Sequence, residues 1–242
     1  VVFDPVTNLV YFGVGNGAPW NDHYRDPTTQ DNLFLASIVA VNVDTGKYVW
    51  HYQETPADTW DYDAVSPLSV VDMKIDGKER SVLLQPSKNG FFYVIEARTG
   101  KLLNATPFVD VNWADGVDLT TGRPRTLAAA RYPEGKPFNL TPGVQGAHGW
   151  HSNAYSPQTG LLYVPTQIAY FPMSFDPNYT PNPVGYNLGI DFGAQITYYQ
   201  THPQAINKFV GYLQAIDPKT GKKVWGGPQN QGPTGGAVAT AG

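Results

Sequence analysis

Short apolar runs alternate with turn residues along the whole chain, and no long stretch carries a helical period. "VAVNVDTGKYVWHYQ" (Val39–Gln53) and "LQAIDPKTGKKVWGGP" (Leu213–Pro228) share one template: alanine, an apolar residue, Asp or Asn, a Thr-Gly turn, lysine, then a run containing tryptophan. "YVIEARTGKLLNATP" (Tyr93–Pro107) is a weaker copy, with Asn104 where Trp50 and Trp225 stand. A second template, "FDPVTNLVYFG" (Phe3–Gly13), is repeated as "YSPQTGLLYVP" (Tyr155–Pro165). Each template is two apolar runs around a tight turn, which predicts a β-hairpin. Gly46, Gly100, Gly160, Gly221 and Asn8 supply the positive φ that such turns need.

Hairpins recurring without helices predict an all-β fold, a propeller or a sandwich. The two templates pair as an inner and an outer hairpin, making one four-stranded blade. The reading is a partial β-propeller in a single domain, 1–242, with blades at about 1–53, 64–107 and 146–228 and the start of another at 235–242. Phe108–Gln145 and Phe171–Asn207, rich in proline and polar residues, read as excursions, and loops of that length usually carry function or cover a site. The one helical expectation is a short turn within Thr28–Ile38.

Composition narrows the function. The 242 residues carry a net charge of −4 with no basic block, which points away from nucleic acid. No apolar run reaches the length of a membrane span. Cysteine is absent, so disulfides and thiolate chemistry are excluded. The chain begins at Val1 inside an apolar run and ends in "GGAVATAG", so both ends read as cuts through a longer protein.

Charged residues are only 15% of the chain, yet "DTWDYDAVSP" sets Asp61 and Asp63 one residue apart among aromatics. In an extended segment both carboxylates lean to one side and repel, unless a cation or a shared proton lies between them. Hard cations take carboxylate and amide oxygens, and Asn16 in "GVGNGAPWN" offers such an amide. The plain alternatives are a turn residue for Asn16 and a solvated loop for the aspartates; against the latter, Trp60 and Tyr62 make bare charge costly. "GVGNG" has the wrong spacing for a dinucleotide loop, and Pro19 follows it. Lys88, in the turn of "QPSKNGFFYVIE", points toward the same mouth as an electrophile or is simply solvated. His148 and His151 lack a third ligand for zinc. Trp150 either stacks on a flat ligand or fills core.

Taken in order, these motifs resemble the PQQ-dependent quinoprotein alcohol dehydrogenases, the methanol and ethanol dehydrogenase-like propellers of eight blades, over essentially the whole chain. The hairpins at Trp50 and Trp225 are similar to that family's tryptophan-docking motifs. The resemblance assigns a metal-ligand role to Asn16, the catalytic base to Asp61 in "WDY", a quinone-contacting cation to Lys88 in "SKNG", and a cofactor contact to Trp150. Gly149 stands where the family has asparagine, which puts one cofactor hydrogen bond in doubt. Asp63 matches the lanthanide-dependent members, because a trivalent ion accepts a further anionic ligand where calcium would be over-charged.

The resemblance implies PQQ and a calcium or lanthanide ion as cofactors. It implies oxidation of a small primary or secondary alcohol to an aldehyde or ketone, and a cytochrome c-type electron acceptor in the periplasm. Asp61 would take the hydroxyl proton, Lys88 would stabilise the developing oxyanion, and the ion would sit on Asn16, Asp61 and Asp63. The family's glutamate ligand and stacking tryptophan would lie before Val1, so a fragment with part of the site is expected, inactive or weakly active alone and prone to self-association through open blade edges. A non-catalytic scaffold of PQQ-type repeats and a quinoprotein acting on sugars or polymers are the competing readings.

Overall fold

A computed structural model describes residues 1–26, 28, 30–205, 210–229 and 235–240. Three four-stranded antiparallel sheets dominate it. The first holds β1 (Val2–Asp4), β2 (Leu9–Gly13), β3 (Ser37–Asn42) and β4 (Tyr48–Gln53), paired in chain order. The second holds β5 (Ser69–Ile75), β6 (Lys78–Pro86), β7 (Phe91–Glu96) and β8 (Leu102–Pro107), again in chain order. The first excursion contributes β9 (Ala114–Val117), β10 (Pro124–Thr126) and β11 (Phe138–Leu140). The third sheet holds β12 (Ala154–Ser156) and β13 (Leu161–Ile168); after an intervening β14 (Phe171–Met173) it is completed by β15 (Val210–Asp217) and β16 (Lys222–Gln229).

This is the all-β partial propeller of four-stranded blades that the repeats predict. The middle blade shows why its strands read as unbroken apolar runs. On β7, Phe91, Tyr93 and Ile95 point into a core shared with the first sheet. Phe92 and Val94 point the other way, into a core with Leu162, Val164 and Ile216 of the third sheet. Side chains alternate faces along a strand, so a sheet buried on both sides needs apolar residues at every position.

The outer hairpins share one device. Trp50 pairs with Ala40, Asn104 with Val94 and Trp225 with Ala215, each beside a one-residue register shift. Trp50 reaches the next blade, where its indole N–H donates to the Ala97 carbonyl at 3.0 Å. The ring lies so close to Gly100 (φ +73°) that a Cβ there would stand 2.6 Å away. Asn104 and Thr106 meet Gly221 of the third blade in the same way. Trp225 packs on Tyr163 of its own sheet, as Trp50 does on Tyr11.

The short turn expected within Thr28–Ile38 falls at Leu33–Ala36, and among the described residues the α-helices lie elsewhere, at Asp22–Arg25 and Phe192–Thr201. The longer one is capped by the Asp191 side chain, which accepts from the Ala194 N–H, and buries none of its residues. The first excursion folds back onto the blades: Trp113, Tyr132 and Leu140 are fully buried in the first core, and β11 pairs with β14. Of the blade start expected at 235–242, residues 235–240 carry no strand and are tied by Ala237 N–H to the Ser152 carbonyl; 241–242 lie outside the described residues.

Candidate active site

Three loops bring the acidic pair, its cation and Asn16 together. The segment after β2 runs beside the link that leaves β4, through Ala64 N–H donating to the Val14 carbonyl at 3.1 Å. Gly13 permits this approach, because a side chain there would overlap the Ala64 carbonyl. Asn16 then donates its backbone N–H to Asp63 Oδ1 at 2.8 Å, while its side-chain amide donates to the Gly17 carbonyl at 3.2 Å. Lys88 projects from the β6–β7 turn, which is closed by Gly90 N–H to the Ser87 carbonyl.

Lys88 Nζ donates to Asp61 Oδ2 at 2.9 Å and to Asp63 Oδ2 at 2.7 Å. The two carboxylates do face one space, and the cation between them is an ammonium. Burial pushes the Asp61 carboxyl up to about 6; the Lys88 charge works against that rise. Burial pulls Lys88 down, but the two carboxylates outweigh it and its net shift is upward. At neutral pH Asp61 and Lys88 are therefore mostly ionised, with Asp61 near its titration point.

Aromatic rings underpin the cluster. Trp60 and Tyr62 are fully buried, with Trp60 donating to the Ala130 carbonyl at 2.7 Å and Tyr62 to the Pro142 carbonyl at 2.5 Å. Both pack on Trp113, whose indole N–H donates to the Asn89 carbonyl beside Lys88. Sequence reasoning missed Trp113, which lies in the excursion Phe108–Gln145.

It also missed two buried acids. Glu54 accepts from Ser87 Oγ at 2.5 Å beneath the Lys88 turn, and burial pushes its carboxyl up to about 8, so it is largely neutral at pH 7. Asp58 is buried in the turn that carries Asp61, and burial lifts it to about 6 against the pull of the Trp60 and Tyr62 N–H groups. The only signal for Asp58 was its place at the head of "DTWDYD".

The remaining expected residues sort by position. Ala147 N–H donates to the Lys88 carbonyl at 2.9 Å, so the loop leading to Trp150 abuts the site. Trp150 itself is 78% exposed, stacked on His151 with ring centroids 4.4 Å apart. It presents a flat face and is not core. His148 is buried with Nδ1 2.6 Å from the Pro165 carbonyl, and burial holds it down at about 4, so it is neutral. Among the described residues, no group of three His, Cys, Asp or Glu forms a metal cage. Asn16, Asp61 and Asp63 are nevertheless hard oxygen donors gathered in one place, the set that suits a hard cation.

The described residues thus join three propeller-type blades to an acidic pair bridged by one ammonium. The family model for the glucose/ethanol/alcohol dehydrogenase β-propeller domain, named PQQ, matches residues 1–114. In sequence and in fold the chain is similar to the PQQ-dependent quinoprotein alcohol dehydrogenase propellers. It is 43% identical, along all of its length, to the dehydrogenase subunit of the quinone alcohol dehydrogenase of Komagataeibacter europaeus, of which it spans 33%. It is equally similar, at 43%, to the quinohemoprotein alcohol dehydrogenase of Comamonas testosteroni, of which it spans 34%. The solved structure of that quinohemoprotein superposes with a TM-score of 0.89 over 99% of this chain and 36% of that one. A europium-containing methanol dehydrogenase superposes with a TM-score of 0.83 at 31% identity, over 96% of this chain and 39% of that one. The chain thus spans about a third of the length of the curated relatives it matches.

Proposed function

We propose that this chain supplies part of the active site of a PQQ- and metal-dependent alcohol dehydrogenase, which oxidises primary or secondary alcohols to aldehydes or ketones. The observation that carries this reading is the desolvated Asp61–Lys88–Asp63 cluster at the strand ends. A scaffold has no use for two partly buried carboxylates held on one ammonium.

Asp61 is the general base that takes the alcohol's hydroxyl proton at its carboxylate. Lys88 places an ammonium at the mouth, where it orients and stabilises negative charge developing on an oxygen. Trp150 offers an open indole face to a flat ring system, and Asn16, Asp61 and Asp63 would hold the metal ion. When bound, PQQ supplies the two-electron acceptor and the ion supplies Lewis-acid polarisation. The second carboxylate, Asp63, favours a trivalent ion over calcium, and the likeness to a europium-containing relative supports that choice. The electron acceptor is a cytochrome, as the name of a 41% identical relative, 1-butanol dehydrogenase (cytochrome c) of Thauera butanivorans, suggests. In this reading the reaction is periplasmic. Self-association through open blade edges belongs to the same proposal and is read by sedimentation.

Titration of the full-length protein with calcium and with lanthanum, PQQ present, tests the reading. Lanthanum is expected to bind more tightly, and Asp63→Ala to reverse or level that preference. Asp61→Asn is expected to keep PQQ and lose ~10²-fold or more in kcat. Failure to bind either ion overturns the metal-dependent reading; an unchanged preference in Asp63→Ala removes the role of Asp63.

A further inference from the structure

Asp61 has a backbone feature that its role as base does not explain. Its φ is +64°, in the left-handed region that few residues other than glycine, asparagine and aspartate occupy. The surroundings here are a single buried carboxylate. Asp58 Oδ1 accepts from the Trp60 N–H and the Tyr62 N–H, each at 3.2 Å, and its Oδ2 accepts from the Tyr62 N–H at 3.2 Å. These two N–H groups belong to the residues on either side of Asp61.

Backbone N–H groups that converge on one anion form a nest, and a nest needs a left-handed residue within it. Asp61 occupies that position. We infer that Asp58 is a positioning residue: its carboxylate gathers the Trp60 and Tyr62 amides, fixes Asp61 in the left-handed conformation, and thereby aims the Asp61 side chain at Lys88.

The anchors around the turn leave Asp61 as the residue free to answer. Trp60 and Tyr62 are each tied by a side-chain hydrogen bond to a separate segment, at Ala130 and at Pro142. Arg25 holds the Asp58 carbonyl. With both flanking side chains pinned, losing the acceptor lets the peptide units on either side of Asp61 rotate and swings its carboxylate away from the ammonium. Ionisation of Asp58 is not required for this. An acceptor oxygen in the right place is.

The inference rests on Asp61 being the base, and three substitutions in the full-length holoenzyme test it. Asp58→Ala removes the acceptor and is expected to lower kcat about 10²-fold with KM for the alcohol and PQQ content little changed, the penalty of a misplaced reacting group. Asp58→Asn keeps an oxygen in place and is expected to recover kcat to within about tenfold of the parent. Asp58→Glu keeps the charge, displaces the oxygens, and is expected to behave like the alanine variant. It keeps the question open to experiment if Asp58→Ala does not fold.

An active Asp58→Glu beside an inactive Asp58→Asn overturns the proposal in favour of charge. Equal losses in all three that track melting temperature overturn it in favour of a merely structural role. Crystal structures of the variants provide a readout apart from activity: Asp61 is expected to leave positive φ in Asp58→Glu and keep it in Asp58→Asn. Asp61 retaining its left-handed backbone in Asp58→Glu overturns the inference whatever the rates are. Failure of the dehydrogenase reading looks different: the parent holoenzyme turns over no alcohol, while the backbone change at Asp61 still appears.

Discussion

The chain contains two seams between neighbouring blades, and they are built from opposite materials. The seam between the first and second sheets is closed by Trp50, only 6% exposed, and holds Glu54, Asp58, Asp61 and Lys88 within or beside it. The seam between the second and third sheets is closed by Asn104 against Gly221 and holds the neutral His148. The same hairpin position thus takes an indole against Gly100 at one seam and an amide against Gly221 at the other. Trp225, 44% exposed, shows the device among the described residues without a following blade. The difference teaches that a tryptophan at this position acts through what it covers, since the hairpin forms with or without it.

The largest test removes the lid of the first seam. Trp50→Ala is expected to cost ~3–5 kcal/mol, the range for a buried large aromatic. Chemical denaturation reads it, and a loss near that of an exposed residue would erase the contrast.

Next comes pH, where the two seams respond with opposite sign. The Glu54 carboxyl is raised in the fold from 4.5 to about 8, so its stabilising share is whole below pH 4.5 and fades as pH climbs through about 8. Asp58 and Asp61, lifted from 3.8 to about 6, add a similar fading at lower pH. His148 is lowered from 6.5 to about 4, so its share is whole above pH 6.5 and fades as pH falls through about 4. Melting curves should show Glu54→Gln relieving the alkaline loss and His148→Gln relieving the acid loss. An alkaline loss unchanged in Glu54→Gln would remove Glu54 as its source.

The two docking glycines should differ by less. Both have positive φ, so alanine costs ~1–2 kcal/mol in backbone strain at either. The new Cβ also meets the Trp50 ring at Gly100, and Thr106 Oγ1 and Cβ at Gly221, for a further ~1–3 kcal/mol of overpacking at each. A much smaller loss at one of them would mean that the docking side chain there can shift. The smallest effect belongs to Trp225→Ala, expected within ~1 kcal/mol of the parent in this chain, because much of the ring is already in solvent. A large loss there would reveal a partner for that face.

The blades were legible because a hairpin writes itself locally: alternation, a Thr-Gly turn and a recurring tryptophan suffice. The acidic pair was legible for the same reason, since Asp61 and Asp63 share one short segment. What stayed hidden depends on distant chain. Nothing near Trp113 announces that it will lie under Trp60, and nothing near Glu54 announces Ser87. Lys88 was placed at the mouth, but its double contact answers the repulsion puzzle in a way that only tertiary structure shows. The helix at Phe192–Thr201 escaped notice because it buries none of its residues and so has no apolar stripe to read.

The register shift beside Ala40, Val94 and Ala215 has a consequence for engineering. Each shift falls at the same step from its turn and its docking residue. Turn, bulge and docking residue therefore form one interchangeable cartridge, and a cartridge can be moved between blades only whole. Grafting Ala215–Trp225 in place of Val94–Asn104 would install an indole facing Gly221 with every other side chain still on its own face. Grafting the tryptophan without its bulge would turn the strand over, and the blade would carry its core on the outside.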